Sequence, residues 1–217
     1  NQPMVPLSAL GEAAERHSHM SIEPPLEGSY RWYGSRLLSF EPSGPLEGQR
    51  SYRVTLKKGI ASLGGKKLGQ ELGFSFHTEY LDFADMYAGG PESFGEVNQT
   101  DVPPDAARYI TCEFTYPVDR EYLARHLQLR VEGVKGSDYP FSLQAPEGEM
   151  DETRRKRTAV LVPGTPLPEN SQVHVILKAG ASSGPEYLAR PDDSVRSFHT
   201  LKPFSFQQLQ SYSWSFP

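Results

Sequence analysis

The sequence contains a single cysteine, Cys112, among 217 residues. One cysteine excludes an internal disulfide and a cysteine-based zinc cluster, so it does not indicate a redox compartment. No apolar run approaches the roughly 20 residues that a membrane-spanning helix needs. The chain has 27 acidic and 22 basic residues and no basic stripe, a distribution that argues against nucleic acid as a partner.

Signatures of catalysis are absent as well. The sequence has no Gly-x-Ser-x-Gly nucleophile elbow, no Walker loop and no His-Glu-x-x-His zinc motif. The glycine-rich stretch at residues 64–67 is a short basic turn rather than a phosphate-binding loop. The sequence therefore predicts a protein that is not an enzyme, with no catalytic residues, no cofactor and no metal site.

Potential metal ligands occur in three short groups, but none of the groups has the number and spacing of a known site. Zinc sites use at least three protein ligands, and the paired histidines have no third ligand nearby. Calcium between two modules would need a recognisable ligand loop, which the acidic groups lack. The groups are His17 with His19, Asp82 with Asp85, and Asp192 with Asp193.

A repeat dominates the sequence. The letters Ser-Phe-His-Thr occur at residues 75–78 and again at residues 197–200. A displacement of 121 positions aligns the two halves without gaps, and the closing motif follows with one further residue of slip. Such self-similarity indicates tandem modules. The aligned positions are Phe40, Pro42, Pro45, Leu46, Val54, Leu56, Lys57 and Gly59 with Leu161, Pro163, Pro166, Leu167, Val175, Leu177, Lys178 and Gly180.

The periodicity within the copies predicts β-strands. Residues 30–40 have the pattern of a hairpin, and residues 52–57 alternate apolar and polar side chains as in a sheet with one wet face. Residues 72–76 form the closing strand of the first copy, and residues 109–114 form a strand that buries Cys112. The fold class predicted is all-β, with two tandem antiparallel β-sandwiches.

The domain boundaries follow from the repeat. We predict a first sandwich at residues 1–80 whose first strand is truncated, a linker with at most one short strand at residues 81–107, and a second sandwich at residues 108–202. Residues 203–217 are predicted to begin a third module. Because the chain opens without an initiator methionine or a charged leader, we interpret it as a piece of a longer protein.

Four aromatic residues are predicted to lie in the cores. Removal of any of these rings is predicted to cost about 3 to 5 kcal/mol. The histidines of the repeated motif follow a buried phenylalanine on a strand, so they are predicted to point outward. The aromatic residues are Trp32, Phe40, Phe76 and Phe198, and the histidines are His77 and His199.

One charged stretch has no counterpart in the first copy. Residues 147–157 are first acidic and then basic. This pattern predicts a solvated hairpin tip with its own salt bridges. A docking element for a partner is the alternative, since exposed loops often carry binding functions.

The order of these residues resembles a known family. The first copy resembles the bacterial Ig-like domain of S-layer proteins, and the tandem resembles the N-terminal part of bacterial alpha-2-macroglobulin family proteins. The first resemblance rests on Pro3-Met4-Val5, Trp32, Phe40-x-Pro42-x-x-Pro45-Leu46, Tyr52-x-Val54-x-Leu56-x-x-Gly59 and Phe74-x-Phe76-x-Thr78. The second rests on Phe114-x-Tyr116-Pro117-Val118-Asp119 and Ser197-Phe198-x-Thr200-x-x-Pro203-Phe204.

The resemblance implies Ig-like or macroglobulin-like sandwiches in a large bacterial protein that traps proteases offered a bait region. It implies a periplasmic, envelope-anchored or secreted location, with a lipoprotein as one form of anchoring. The implied partners are other modules of the same parent protein and a protease trapped by the parent. The family's thioester motif, Cys-x-Glu-Gln, is absent, because Phe114 stands two positions after Cys112.

The leading hypothesis is therefore a non-catalytic structural segment of an alpha-2-macroglobulin-like protease inhibitor. One alternative is a tandem Ig-like spacer or ligand-binding region of a surface-layer protein or adhesin. A third hypothesis is a carbohydrate-binding accessory region of a larger enzyme, which would need a row of exposed aromatic residues on one sheet face.

Overall fold

The computed structural model describes residues 2–10, 19–88, 102–134 and 138–203. The chain divides into two units, Asn1–Tyr80 and Leu81–Pro217. Nearly all regular structure in the described residues is β-strand, every sheet is antiparallel, and the helices are single turns. The all-β prediction is confirmed.

The first unit contains two small sheets. Its strands are β1 (Met20–Glu23), β2 (Gly28–Tyr33), β3 (Leu37–Pro42), β4 (Ser51–Leu56) and β5 (Leu72–His77), and a 3-10 turn at Leu7–Ala9 precedes them. One sheet has the strand order β1-β4-β5, and the other is the hairpin β2-β3. The predicted hairpin, central strand and closing strand are thus present.

The second unit has larger sheets. Its strands are β6 (Phe83–Ala88), β7 (Ile110–Phe114), β8 (Leu127–Val131), β9 (Phe141–Gln144), β10 (Thr158–Pro163), β11 (Gln172–Leu177) and β12 (Ser194–His199). They form a four-stranded sheet, β6-β7-β10-β9, and a three-stranded sheet, β12-β11-β8. The short helices are α1 (Arg120–Ala124) and α2 (Glu152–Lys156), and a 3-10 turn lies at Ala106–Arg108.

The core of the second unit lies between its two sheets. Alternate residues of a strand point to one face, so every second side chain of the inner strands is available to the core. The structure buries these residues in one continuous cluster, which is the arrangement of a β-sandwich. Its fully buried members include Ile110, Cys112 and Phe114 of β7 and Val173, Val175 and Leu177 of β11.

The repeat is structural as well as sequential. The order β1-β4-β5 in the first unit matches β8-β11-β12 in the second, and the hairpin β2-β3 matches β9-β10. Unusual backbone angles recur at the same places: φ is 91° at Gly59 and 92° at Gly180, and 54° at Gln49 and 50° at Asn170. Left-handed φ favours glycine and is uncommon elsewhere, so its recurrence 121 positions apart marks the same two turns in both units.

The threonine of the repeated motif explains why the four letters recur. In the first unit, Thr78 Oγ1 accepts a hydrogen bond from the Arg50 N–H, 3.0 Å away. In the second unit, Thr200 Oγ1 accepts one from the Ser171 N–H, 2.9 Å away. Each bond ties the end of the closing strand to the residue just before the central strand. The histidine between phenylalanine and threonine is exposed at His77 and half-buried at position 199.

The linker predicted for residues 81–107 is corrected at both ends. Val102 and Ala107 are buried in the core of the second sandwich, and the N-terminal end forms a strand of that sandwich, β6. Its inner face is apolar, but a β-bulge shifts the register between Phe83 and Asp85. A bulge adds one residue and reverses the parity of the alternation, which hides the strand from a period of two. The buried residues are Leu81, Phe83, Met86 and Ala88.

Several predictions fall on residues that the structure does not describe. The start of a third module lies at residues 203–217, of which residues 204–217 are outside the described ranges. The remainder of the predicted linker between residues 89 and 101 is outside them too, as is His17.

Residues 147–157, predicted as a solvated hairpin tip, lie in the connection between the antiparallel neighbours β9 and β10. What the prediction lacked is a helical turn within this connection, α2. Asp151 precedes the turn, and its carboxylate accepts a hydrogen bond from the Arg154 N–H at 2.9 Å. An aspartate in this position caps a helix N-terminus. The stretch does contain its own salt bridge, between Lys156 and Glu152 at 3.6 Å. Arg154 also reaches Glu113 of β7 at 3.0 Å.

Candidate interaction surface

An open apolar groove of about 910 Å³ lies in the first unit, between the sheet β1-β4-β5 and the hairpin β2-β3. Side chains from both sheets line it, and several large apolar ones are strongly exposed: Phe74 at 61%, Leu37 at 60% and Leu72 at 44%. Contiguous apolar surface of this kind marks an interaction site in a folded protein. The groove is therefore the candidate functional surface of this unit.

The groove is open because the first unit has little buried core. Among its described residues, the buried apolar side chains are Tyr52 and Val54. Trp32, Phe40 and Phe76, which the sequence places in the core, are half-buried and line the groove. The fourth predicted core residue, in β12, is buried. Within the described residues, the buried indole N–H of Trp32 has no acceptor.

One edge of β3 is also unpaired in the described part of the chain, where β3 pairs with β2 alone. The Ser43 N–H donates to the Glu27 carbonyl at 3.0 Å. Antiparallel strands alternate between hydrogen-bonded and non-hydrogen-bonded pairs. Ser43 and Glu27 directly continue the β2–β3 pairing, so they set which pairs are hydrogen-bonded. The backbone groups of Leu38 and Phe40 therefore point away from β2, toward the open edge.

A polar cluster joins the start of β6 to the start of β12 in the second unit. Asp82 Oδ1 accepts hydrogen bonds from the Ser194 hydroxyl at 2.6 Å and from the Phe83 N–H at 2.7 Å, and lies 3.5 Å from the Arg190 guanidinium. Burial by itself raises the pKa of Asp82, but these hydrogen bonds together with the charges of Arg190 and Arg196 bring the pKa below its ordinary value. The ionised carboxylate therefore stabilises the folded unit.

Replacement of Asp82 by asparagine is expected to lower the free energy of unfolding at pH 7 by up to about 1 kcal/mol, a modest value because the carboxylate is 43% exposed. A carboxyl group whose folded pKa is depressed stabilises above its unfolded pKa of about 3.9, and this contribution is lost as the pH falls through the folded pKa. Urea denaturation between pH 7 and pH 2 should show the wild type and D82N converging at the acid end.

Asp85→Asn is the matched control for that series. The Asp85 carboxylate accepts a hydrogen bond from the Met86 N–H at 2.7 Å, whereas the Arg190 guanidinium lies against Asp82. The control should retain the pH dependence of the wild type. Equal pH dependence in all three proteins would contradict the role given to Asp82.

The single thiol is inert in the folded protein. Cys112 is fully buried in β7, and burial raises its pKa to about 12. Because the thiolate is the nucleophilic form, a buried thiol with a raised pKa reacts slowly. Cys112 therefore supplies packing rather than chemistry.

A thiol-specific reagent such as Ellman's reagent should leave Cys112 unmodified in the native chain and modify it fully in guanidinium chloride. Protection at pH 8 should parallel the global stability, since reaction needs the second sandwich to open. Rapid stoichiometric modification of the native chain would contradict the buried position.

No cluster of three potential metal ligands occurs within the ranges that the structure describes. The acidic groups weighed as calcium ligands have protein partners: Asp193 binds Lys178 Nζ at 2.6 Å and the Ala179 N–H at 2.8 Å. Asp82 and Asp85 have the contacts given above. In those same ranges, no helix combines the length and apolar composition needed to cross a membrane.

Comparison with known proteins identifies two similarities. Residues 3–78 match the bacterial Ig-like domain family. The chain is also similar to a protein of Nostoc sp. called alpha-2-macroglobulin homolog, with 21% identity over 225 aligned positions. That alignment covers 97% of this chain and 12% of the relative, so the chain spans about one eighth of the relative's length. Both resemblances predicted from the sequence are confirmed, and together they support a structural module.

Proposed function

We propose that this chain is a non-catalytic scaffold segment of a protease inhibitor. Its first unit matches the bacterial Ig-like domain, and 97% of the chain aligns with part of an alpha-2-macroglobulin homolog. The inhibitor is secreted or attached to a bacterial cell envelope and traps its target protease. The observation that carries the proposal is the recurrence of one sandwich topology in both units, with alignment over 97% of the chain.

The structure favours a scaffold role for the segment over a reactive role. The most reactive side-chain type, a thiol, is buried in β7 at Cys112. Ion pairs of the second unit join separate segments of the chain, as Asp82 is joined with Arg190 and Glu113 with Arg154. Such pairs position strands relative to one another and need no ligand to be satisfied.

A closed sandwich core also suits a protein that meets active proteases. Proteolysis of a folded domain needs local or global opening of the backbone. The second unit buries Phe114, Leu129 and Leu161 fully, so its strands open only with loss of the whole core. A scaffold of this kind keeps its shape while cleavage takes place elsewhere in the parent protein.

The proposal is tested on the full-length protein that carries this chain. Addition of an active endoprotease should change the mobility of the protein on a native gel and abolish cleavage of a large protein substrate, while cleavage of a small chromogenic peptide continues. That contrast separates physical trapping from blockage of the active site. Loss of cleavage of both substrates, or of neither, would contradict the proposal.

The 217-residue chain alone is the matched control in this assay. It should leave cleavage of both substrates unchanged. The rival function, a tandem spacer or ligand-binding region of a surface-layer protein or adhesin, is favoured only by the Ig-like match of residues 3–78. It predicts that the full-length protein binds cell-wall or host material and leaves protease activity unchanged.

A further inference from the structure

The two units differ at one position of their shared topology. In the second unit, β10 pairs with β9 on one side and with β7 on the other. In the first unit, the equivalent strand, β3, pairs with β2 and, among the described residues, with no second strand. The position that β7 occupies in the second sandwich is therefore the open edge of β3, beside the apolar groove.

Hydrogen bonds fix where a strand at this edge would join the chain. The Val118 N–H donates to the Lys156 carbonyl at 2.9 Å, and the Met4 N–H donates to the Ser35 carbonyl at 2.6 Å. Lys156 and Ser35 are 121 positions apart, which is the spacing of the repeat. Met4 is thus the counterpart of Val118, and Pro3 is the counterpart of Pro117.

The same register places a counterpart of β7. Since residue 118 corresponds to residue 4, the five residues Ile110–Phe114 correspond to the five positions directly before Asn1. In the second unit, Ile110, Cys112 and Phe114 are each fully buried between the sheets. Alternate residues at the equivalent positions would point into the groove of the first unit.

We propose that the first unit is completed by an added β-strand, antiparallel to β3, with apolar side chains at alternate positions. Its source is polypeptide on the N-terminal side of Gln2, which runs into the Met4–Ser35 contact without a change of register. The backbone of the strand bonds to Leu38 and Phe40, and its apolar side chains fill the groove beside Trp32. Strand addition of this kind combines backbone hydrogen bonds with pockets for alternate side chains. The inference is independent of the proposed protease inhibition.

The test joins a second copy of Ile110–Phe114, carrying Cys112→Ala, directly to Asn1 of the full 217-residue chain. The matched control joins the same five residues in a permuted order, with Thr111 and Glu113 at groove-facing positions and Ile110 and Phe114 at outward ones. A one-residue shift of alternation turns the apolar set away from the core, so the control has the same composition and cannot fill the groove.

Three readouts report completion of the sandwich. Amide exchange at Leu38 and Phe40 should slow at least about tenfold in the fusion, because both N–H groups acquire acceptors. The emission of Trp32 should shift to shorter wavelength, measured with Trp214→Phe in all proteins since the chain has two tryptophans. The thermal transition of the first unit should rise by at least about 4 °C. The control fusion should show none of these changes.

Four outcomes would overturn the proposal. The first is equal behaviour of the fusion and its control. The second is protection of Leu38 and Phe40 in the unmodified chain to the level of Ala159 and Leu161, their counterparts in β10. The third is full protection by the same five-residue peptide added free, which would assign the surface to another protein. The fourth is protection that rises with chain concentration together with dimers in sedimentation, which would assign it to a second copy.

Discussion

Phe198→Ala is expected to lower the free energy of unfolding of the second unit by about 3 to 5 kcal/mol. The ring is 3% exposed and belongs to the continuous core between the two sheets. Phe198 lies opposite Val173 of β11. Removal of the ring leaves a cavity, because the close-packed surroundings collapse into it only in part. Urea denaturation followed by circular dichroism measures the change. A loss of this size removes much of the 5 to 15 kcal/mol that stabilises a typical domain.

Phe76→Ala is the matched variant, because Phe76 has the same place in the first unit. It lies opposite Tyr52 of β4, with the ring centroids 5.3 Å apart, but it is half-buried beside the open groove. Hydrophobic stabilisation scales with the apolar area removed from water, so its loss should be less than half that of Phe198→Ala. Equal losses from the two variants would contradict the difference between a closed and an open sandwich.

Thr200→Val is expected to cost the second unit about 2 kcal/mol, although the two side chains have nearly the same shape. Thr200 is fully buried. Its hydroxyl donates to the Pro168 carbonyl at 2.7 Å and accepts from the Ser171 N–H at 2.9 Å. Valine leaves both backbone groups without this partner in a buried place. The same denaturation assay measures the cost.

Thr200→Ser separates the hydroxyl from the methyl group. Serine keeps the hydrogen bonds and removes one methyl, so its cost should be about 1 kcal/mol. In the first unit, Thr78 makes the corresponding bonds to the Arg50 N–H and the Glu47 carbonyl but is only half-buried. Thr78→Val should therefore cost less than Thr200→Val. A larger loss from the serine variant than from valine would contradict the role of the hydroxyl.

The local pattern of the sequence predicts strands well where one face is dry and the other wet. Tyr52 and Val54 are buried, and Arg53 between them is exposed, as a period of two requires. The repeat adds information that no single strand has, because positions that recur at a fixed distance mark the same turns. Thr78 and Thr200 recur for their hydrogen bonds, whereas the histidine before each is exposed in the first unit and half-buried in the second.

The features that sequence reasoning missed depend on distant partners or on a change of period. The bulge in β6 moves the buried positions from Phe83 to Met86, so a period of two fails there. The contact between Asp82 and Arg190 joins residues 108 positions apart, and neither side chain has a local signal for it. The capping aspartates before the two short helices are missed features with a short-range signal. Asp119 accepts from the Glu121 N–H at the start of α1, and Asp151 accepts from the Arg154 N–H at the start of α2.

The half-burial of Trp32 and Phe40 had no signal in the residues themselves. Their alternation is typical of core positions. In the second unit, the equivalent strand, β10, has a paired neighbour on each edge. Whether an apolar face is covered depends on a neighbouring strand, which a local pattern does not contain. Sequence thus predicts which face of β3 is apolar, and the structure shows that the groove beside that face is open.

β3 and β10 occupy the same place in two copies of one sandwich, and residue-resolved amide hydrogen exchange on the unmodified chain compares them most directly. Ala159 and Leu161 face β7, so their amides should exchange only on opening of the whole second unit. Leu38 and Phe40, which face the open edge of β3, should exchange at least about a hundredfold faster. Equal protection of the two pairs would contradict the account of one closed and one open sandwich.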